Sequence, residues 1–306
     1  MRVAAIDCGT NTIRLLVTDL EPGGGQRDLV REMRFVRLGQ DVDRTGRLSE
    51  EALTRTFAAI DEYAAIIADH GAAAVRFCAT SAARDAANAD DFAAGVEARL
   101  GVVPEVIDGS EEARLSFDGA TRMLLEEPRP VLVVDIGGGS TELIIGDAAG
   151  SVTASCSLDI GSVRLTERLL PSDPPTSTEL AAATVAIDEA LDTLPSHGVH
   201  VEDAATLVGV AGTVTTVAAV ALGIDDWERD RVHLAKLDRA DVHAVSGLLL
   251  GATVDEREAL RVPAGRSDVI GAGALILDRV LHRASVEALL VSDSDILDGI
   301  AWSLAP

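Results

Sequence analysis

The hydrophobic pattern is organised by one stretch, VLVVDIGGGSTELIIG, residues 131–146. Residues 131–134 are a continuous apolar run between Pro130 and Asp135, and their length and β-branching predict a fully buried strand. Gly137, Gly138 and Gly139 follow, with Ser140 and Thr141 behind them, and a second apolar run returns over residues 143–145. The pattern is strand, tight turn, strand. It differs from dinucleotide fingerprints and Walker loops, whose glycine turns open a helix. Three glycines let the backbone bend sharply and bring its N–H groups up to an anion.

The same pattern stands at the start of the chain. Residues 3–17, VAAIDCGTNTIRLLV, align with residues 131–145 at a constant offset of 128 (135 − 7). Asp7 falls on Asp135, Gly9 on Gly137, Thr12 on Ser140 and Arg14 on Glu142. A motif repeated once about half a chain later predicts two related domains, with a ligand held between their hairpin loops.

The remaining pattern alternates strands and helices. A strand is expected over 29–38. Ser49 caps a helix whose apolar face is Leu53, Phe57, Ile60, Ala64 and Ile67, and Gly71 ends it. Residues 75–79 read as a short strand, after which Thr80 or Ser81 starts a helix with Arg84 near its N-terminus. An arginine there suits an oxyanion. A strand over 102–107 leads through Asp108–Ser110 to a helix beginning Glu111, Glu112 and running to about Glu127, which would join the two halves. Acids in a first turn are expected from the helix dipole alone, so this position by itself implies no chemistry. In the second half, strands are expected over 155–160, 207–210 and 286–291. Helices begin at Ser162, after residue 178 and at the Ala211–Gly212–Thr213 turn; another covers 238–260 and a short one ends the chain. Arg266–Ser267–Asp268 precedes a helix with Gly271 and Gly273, small enough for close packing.

Composition narrows the class. With 306 residues, 47% apolar and 25% charged, the chain has room for two globular cores. Aromatics are only 3%, so Ala, Val, Leu and Ile must fill them. No signal-peptide pattern and no 18-residue apolar run occur, so a cytoplasmic protein without a membrane partner is expected. Cys8, Cys78 and Cys156 have no metal spacing and cannot all pair, which suits reduced thiols. The six histidines show no convergent ligand spacing, so no zinc site is expected. A net charge of −24 argues against nucleic acid as a partner. It also opposes an anionic substrate, unless local cations answer it. Arg14, Arg84, Arg114, Arg164 and Arg266 sit in or beside the motifs, and several are expected to line one cleft; Arg114 and Arg164 are the readiest to pair with acids instead.

Together, AAIDCGTNTIRLLV, ATSAARDAAN, IDGSEEARLSFDG, VLVVDIGGGSTELIIG, SLDIGSVRLTE and RSDVIGAGALIL span nearly the whole chain. In this order the set resembles the exopolyphosphatase / guanosine pentaphosphate phosphohydrolase (Ppx/GppA phosphatase) family, within the actin-like ATPase and sugar kinase superfamily. The resemblance implies an α/β protein of two ribonuclease-H-like domains, residues 1–124 and 125–306. Each would carry a mixed five-stranded sheet, with the site in the inter-domain cleft and the last helix, 296–306, packed back on the first domain. It implies Glu112 as catalytic base, and Asp135 and Glu142, with Asp7, as holders of Mg2+ or another divalent cation. Phosphate would be bound by Gly137, Gly138, Gly139 and Ser140 on one side, by Thr10, Asn11, Arg14 and Arg84 on the other, and by Arg266. A homodimer is also implied. The chain ends where longer family members add a helical domain that grips extended polyphosphate, so short chains are the expected substrate. Cys8 and Thr10 replace commoner family residues without disturbing the loop.

The expected reaction is removal of the terminal phosphate of inorganic polyphosphate by water. The protein would position the water, neutralise developing charge and hold the chain in line. The alternatives are a guanosine pentaphosphate (pppGpp) 5′-phosphatase or nucleotide phosphohydrolase, with a base pocket at the Gly212 turn; a kinase, against which the GSEEAR stretch argues; and a non-enzymatic nucleotide sensor of the actin type.

Overall fold

A computed structural model describes residues 1–21, 23–124, 126–147 and 150–305. The first part of the chain forms β1 (Arg2–Cys8), β2 (Thr12–Leu20), β3 (Gln26–Phe35), α1 (Val42–Thr45), α2 (Glu50–His70), β4 (Ala74–Ala79), α3 (Ser81–Arg84), α4 (Ala89–Leu100), β5 (Glu105–Val106) and α5 (Gly109–Thr121). Then come β6 (Val131–Ile136), β7 (Thr141–Gly146), β8 (Val152–Leu158), α6 (Ser162–Leu169), α7 (Ser177–Leu191), β9 (Thr206–Val210), α8 (Ala211–Ala221), α9 (Arg229–Val232), β10 (Lys236–Asp238), α10 (Arg239–Gly251), α11 (Val254–Ala259), α12 (Ile270–Arg283), β11 (Ala288–Val291) and α13 (Ile296–Trp302). Two compact units result: Met1–Gly119 with Ile296–Pro306, and Ala120–Asp295.

The first unit has a five-stranded mixed sheet in the order β3-β2-β1-β4-β5. β1, β2 and β3 are antiparallel neighbours, while β4 and β5 run parallel to β1. One face packs Ile6, Cys8, Ile13 and Leu15 against Ile60, Tyr63, Phe77 and Phe92. The other packs Val3, Ala5 and Leu16 against Leu115 of α5 and Ile296, Leu297, Ile300 and Ala301 of α13. In the second unit the order is β10-β11-β9-β6-β7-β8. Its β8-β7-β6-β9-β11 part repeats the first sheet strand for strand, and the three-residue β10 adds an antiparallel sixth strand at the edge. The architecture is thus the expected α/β pair of ribonuclease-H-like units of the actin-like fold.

The repeat is exact at the level of register. Asp7 pairs with Arg14 across β1–β2, and Asp135 pairs with Glu142 across β6–β7. Both turns close with the same bond, Gly9 N–H to Thr12 O at 2.9 Å and Gly137 N–H to Ser140 O at 3.0 Å. Directly opposite residues of an antiparallel pair project from one face. The sequence offset of 128 therefore places two polar pairs at matching positions of two sheets.

Several expectations are corrected in detail. α2 starts at the Ser49 cap, which accepts from Ala52 N–H at 3.2 Å, and ends at left-handed Gly71. Its buried stripe is nevertheless Ala52, Thr56, Ala59, Ile60, Tyr63 and Ile67, turned from the one read off the apolar residues. Two polar residues hold core positions because their hydroxyls find backbone acceptors: Thr56 on Ala52 O at 2.8 Å and Tyr63 on Ile13 O at 3.0 Å. α5 ends at Thr121 instead of continuing to about Glu127. Met123 beyond it is 69% exposed, so no apolar face carries the helix on; Leu125 lies outside the described residues. The helix expected over 238–260 breaks between α10 and α11, where Thr253 and Glu256 form a capping box that starts a new helix.

Candidate active site

In the first unit the site residues gather where β1 and β4 end. Asp7, the penultimate residue of β1, is buried. Arg14 lies opposite it on β2 and donates Nε and Nη2 to Asp7 Oδ2, at 3.0 and 2.6 Å. The turn between these strands rests on the residues that follow β4. Thr80 N–H donates to Cys8 O at 3.2 Å, and the buried hydroxyls of Thr10 and Ser81 share a 2.9 Å hydrogen bond. On the other side the backbone of Asn11 accepts from Val36 N–H and Arg37 N–H, at 3.1 and 2.9 Å.

Ser81 opens α3, which is one turn of four residues with Arg84 as its last. Arg84 thus lies in the first turn of the helix that Ser81 starts, but that turn is the whole helix, and a single turn supplies little macrodipole. What α3 does is aim Arg84. Its Nη1 donates to Ile107 O at 2.8 Å and to Glu112 Oε2 at 3.1 Å. Glu112 is 7% exposed. It sits in the first turn of α5, which Asp108 caps by accepting from Ser110 N–H at 3.0 Å and Glu111 N–H at 2.9 Å. The adjacent Glu111 faces elsewhere, to Arg76 and Arg114 at 3.1 and 2.8 Å. The two acids of the GSEEAR stretch are thus separated by structure: Glu111 is tied to Arg76 and Arg114, while Glu112 is held by Arg84. Arg114 is engaged with Glu111 and Asp118.

In the second unit Asp135 and Glu142 are 6% and 1% exposed. Glu142 Oε1 accepts from Ser157 Oγ of β8 at 2.7 Å. The glycine turn is held from behind by α6. Gly137 O accepts from Ser162 N–H at 3.0 Å, and Gly138 O accepts from Val163 and Arg164 N–H at 2.9 and 3.1 Å. Gly139 O accepts from Arg164 Nε at 2.7 Å. All three glycine carbonyls are therefore turned toward α6. Among the described residues the N–H groups of Gly138 and Gly139 meet no acceptor. Buried Ser140 follows them. Carbonyls satisfied on one side with donors left on the other make an anion-binding concavity.

β9 runs parallel to β6 and ends beside Asp135, with Val210 at its register partner. Ala211 begins α8 in a left-handed conformation, φ 66°, unusual for a residue with a side chain. Arg266 lies directly on the next residue: its Nη1 donates to Gly212 O at 2.8 Å and to Thr216 Oγ1 at 2.6 Å. A Cβ at Gly212 would overlap that guanidinium, so a larger residue here would displace the Arg266 side chain.

The structure brings Asp7 with Arg14, Thr10 with Ser81, and Arg84 with Glu112 in the first unit, and Asp135 with Glu142 and the glycine turn in the second. Four contributors are not among the residues picked from the sequence: Ser81, Ser157, Gly161 and Thr216. Gly161 and Ser157 lie in the SLDIGSVRLTE stretch and Ser81 in ATSAARDAAN, so motif membership was their one signal; Thr216 had none. All three cysteines are free and buried. Among the described residues no group of three or more His, Cys, Asp or Glu could hold a metal, and no helix is long and apolar enough to cross a membrane.

Paired ribonuclease-H-like units with a glycine hairpin and buried carboxylates define a phosphate-handling protein of the actin-like fold. The chain belongs to the Ppx/GppA phosphatase family, whose model matches residues 16–306. It is 47% identical to exopolyphosphatase 2 of Mycobacterium tuberculosis, covering 99% of this chain and 98% of that one. Its fold is similar to the crystal structure of the Aquifex aeolicus member of the Ppx/GppA family, with a TM-score of 0.83, 32% identity and coverage of 99% and 97%. It is also similar to an exopolyphosphatase from Cytophaga hutchinsonii, with a TM-score of 0.91, 28% identity and coverage of 99% and 97%.

Proposed function

We propose that the chain is an exopolyphosphatase that hydrolyses the terminal phosphoanhydride of inorganic polyphosphate, with short chains as its substrate. The observation that carries this is the glycine turn of the second unit. Its carbonyls are fastened to α6 while the N–H groups of Gly138 and Gly139 remain as donors beside Ser140. The 47% identity to a protein named exopolyphosphatase 2 supports the same reading.

In this reading Glu112 orients the attacking water and takes its proton. The new bond joins the water oxygen to the terminal phosphorus, the P–O bond of the anhydride breaks, and the shortened chain leaves with that oxygen. Arg84 fixes the Glu112 carboxylate through Oε2 and, with Arg14, Thr10 and Asn11, offers donors to phosphate oxygens. Arg266 adds a cation beside the Gly212 turn. Magnesium takes hard oxygen ligands, commonly one or two carboxylates with waters and substrate phosphates. Asp135 and Glu142, buried and projecting from one face, fit that requirement. Bound there, the ion would supply charge neutralisation to the phosphate oxygens. Asp7, the third carboxylate of this set, already receives two N–H bonds on Oδ2, so its role in this reading is to hold Arg14.

The pppGpp alternative needs room for a guanine, and the Gly212 turn was the place for it. Arg266 covers that turn, which favours an unadorned phosphate chain. The test is phosphate release from tripolyphosphate, long polyphosphate, pppGpp and ATP, with and without magnesium, by the wild type and Glu112→Gln. The expected result is magnesium-dependent release, fastest from the short polyphosphate, with turnover lowered by on the order of 10²–10⁴ in the variant. Near-normal turnover by Glu112→Gln would remove the assignment of the base.

A further inference from the structure

We infer that Gly299, in the last helix of the chain, is a positioning residue for Glu112. The inference rests on the reading of Glu112 as the group that orients water. α13 and α5 cross in the first unit at a point where neither helix has a side chain between them. A Cβ on Gly299 would overlap the carbonyl oxygen of Leu115 and come within 2.7 Å of its carbonyl carbon and 3.0 Å of its Cα. Those atoms are backbone, so no rotamer change relieves the contact. Leu115 is three residues after Glu112, on the next turn of the same face.

What must give way under a larger residue is decided by the other contacts of α13. Asp298, the neighbour of Gly299, is 3% exposed and tied to β3. Its Oδ1 accepts from Arg31 Nη2 at 2.6 Å and from Gln26 Nε2 at 2.9 Å. Trp302 Nε1 donates to Gln26 Oε1 at 2.7 Å. α13 is therefore pinned to the sheet by two residues flanking position 299, and its apolar side is buried with Val3, Ala5 and Leu16. α5 is packed as well, with Ala113, Leu115, Ser116 and Phe117 buried, so the added carbon strains the crossing itself, and α5 carries Glu112.

A second link joins the same elements. Arg76 on β4 donates Nη1 to Ser303 Oγ, just past α13, at 2.7 Å, and Nη2 to Glu111 Oε1 at 3.1 Å. The C-terminal segment thus sets the height of α5 over the sheet twice, once by backbone contact at Leu115 and once through Arg76 at Glu111. Since Arg84 holds the Glu112 carboxylate from the opposite side, lifting α5 by about an ångström draws Glu112 off its partner. Displacement of that order costs about 10²-fold in rate when it misplaces a reacting group.

The test compares tripolyphosphate hydrolysis by the wild type, Gly299→Ala, Glu112→Gln and the double variant, each checked by thermal melting. Gly299→Ala is expected to lower kcat by about 10- to 100-fold with KM within about twofold. In the Glu112→Gln background, read at high enzyme concentration, it is expected to cause no further loss. Wild-type kcat in Gly299→Ala, or an equal fractional loss in both backgrounds, would overturn the inference while leaving the base assignment standing. Full activity in Glu112→Gln would instead defeat the base assignment and this inference with it. Should Gly299→Ala not fold, Arg76→Gln, which cuts the second link without adding volume, is read in the same cycle against the same outcomes.

Discussion

Arg14 gives two N–H bonds to a single oxygen of Asp7, Oδ2, at 3.0 and 2.6 Å. At the register-equivalent position of the second sheet, Asp135 faces Glu142, a second acid. One duplicated hairpin has therefore kept the geometry of a polar pair and changed its charge. The first pair joins opposite charges, and the second sets two acids side by side. The two hairpins therefore differ in what stands beside their turns: an arginine–acid pair in the first, and two carboxylates next to the Gly138 and Gly139 N–H groups in the second.

Removing Arg14 should therefore cost stability as well as rate. The Asp7 side chain is 7% exposed, and Arg14→Ala leaves its carboxylate short of two strong donors. Loss of one partner of a buried pair costs about 3 kcal/mol. We expect a clear fall in the urea midpoint for Arg14→Ala and a smaller one for Asp7→Asn/Arg14→Ala together. Equal midpoints for wild type and Arg14→Ala would show that the pair contributes nothing.

Gly161 supports the phosphate turn from behind. A Cβ there would come within 2.5 Å of the carbonyl carbon of Gly138 and 2.6 Å of that of Gly139. Those carbonyls point at α6, so the added carbon must push the turn and its N–H groups out of line. Gly161→Ala should raise KM for tripolyphosphate by about tenfold, the loss of roughly one hydrogen bond to a charged group. An unchanged KM in a folded variant would mean that these N–H groups do not meet the substrate.

Alkali should loosen the fold through its buried thiols, of which the first unit holds two and the second holds Cys156, also raised by burial. Burial pushes the Cys8 thiol well up, with the charge of Asp7 adding to it. Burial likewise pushes Cys78 up to about 12, partly offset by Arg76, and raises the Tyr63 hydroxyl. In the unfolded chain a thiol loses its proton near its ordinary value of 9.0, so the unfolded state binds fewer protons than the folded one. Stability is full below about pH 9 and falls as pH rises toward the folded value near 12. Urea midpoints at rising pH should fall, and Cys78→Ala should flatten the slope. The native thiols should also resist a disulfide reagent at pH 8 and react fully in denaturant. Rapid labelling of Cys8 or Cys78 in the folded protein would contradict the burial argument.

What the chain revealed unaided follows from how local each feature is. The two hairpins were legible because a β-branched run and glycines specify strand and turn within a few residues, and a constant offset carries register from one to the other. The break before α11 had a local signal as well, Thr253 with Glu256 three residues on, which the continuing helical pattern hid. Ser81 and Ser157 had only their place within the stretches ATSAARDAAN and SLDIGSVRLTE, which assigns neither a partner. Each becomes a site residue only through strand pairing, Ser157 opposite Glu142 and Ser81 one residue beyond Thr80 on Cys8, and hydroxyls are common in any sequence. The one-turn α3 was unreadable for the same reason: Arg84 is placed by Ile107 O and Glu112, residues far along the chain.

Ser157 gives the sharpest test of the carboxylate pair. Its hydroxyl donates to Glu142 Oε1 at 2.7 Å from the neighbouring strand, fixing how that carboxylate is turned. Outer partners of this kind orient a metal ligand, and their loss typically costs 10- to 100-fold in metal affinity. Ser157 is at a surface-facing register position, so Ser157→Ala removes the bond with little change in packing. We expect the magnesium concentration for half-maximal tripolyphosphate hydrolysis to rise by about tenfold, with kcat at saturating magnesium nearly restored. Glu142→Gln should show the same direction with a larger shift and no full recovery. If Ser157→Ala instead loses kcat at every magnesium concentration, Glu142 acts on the substrate or the water and not through the ion.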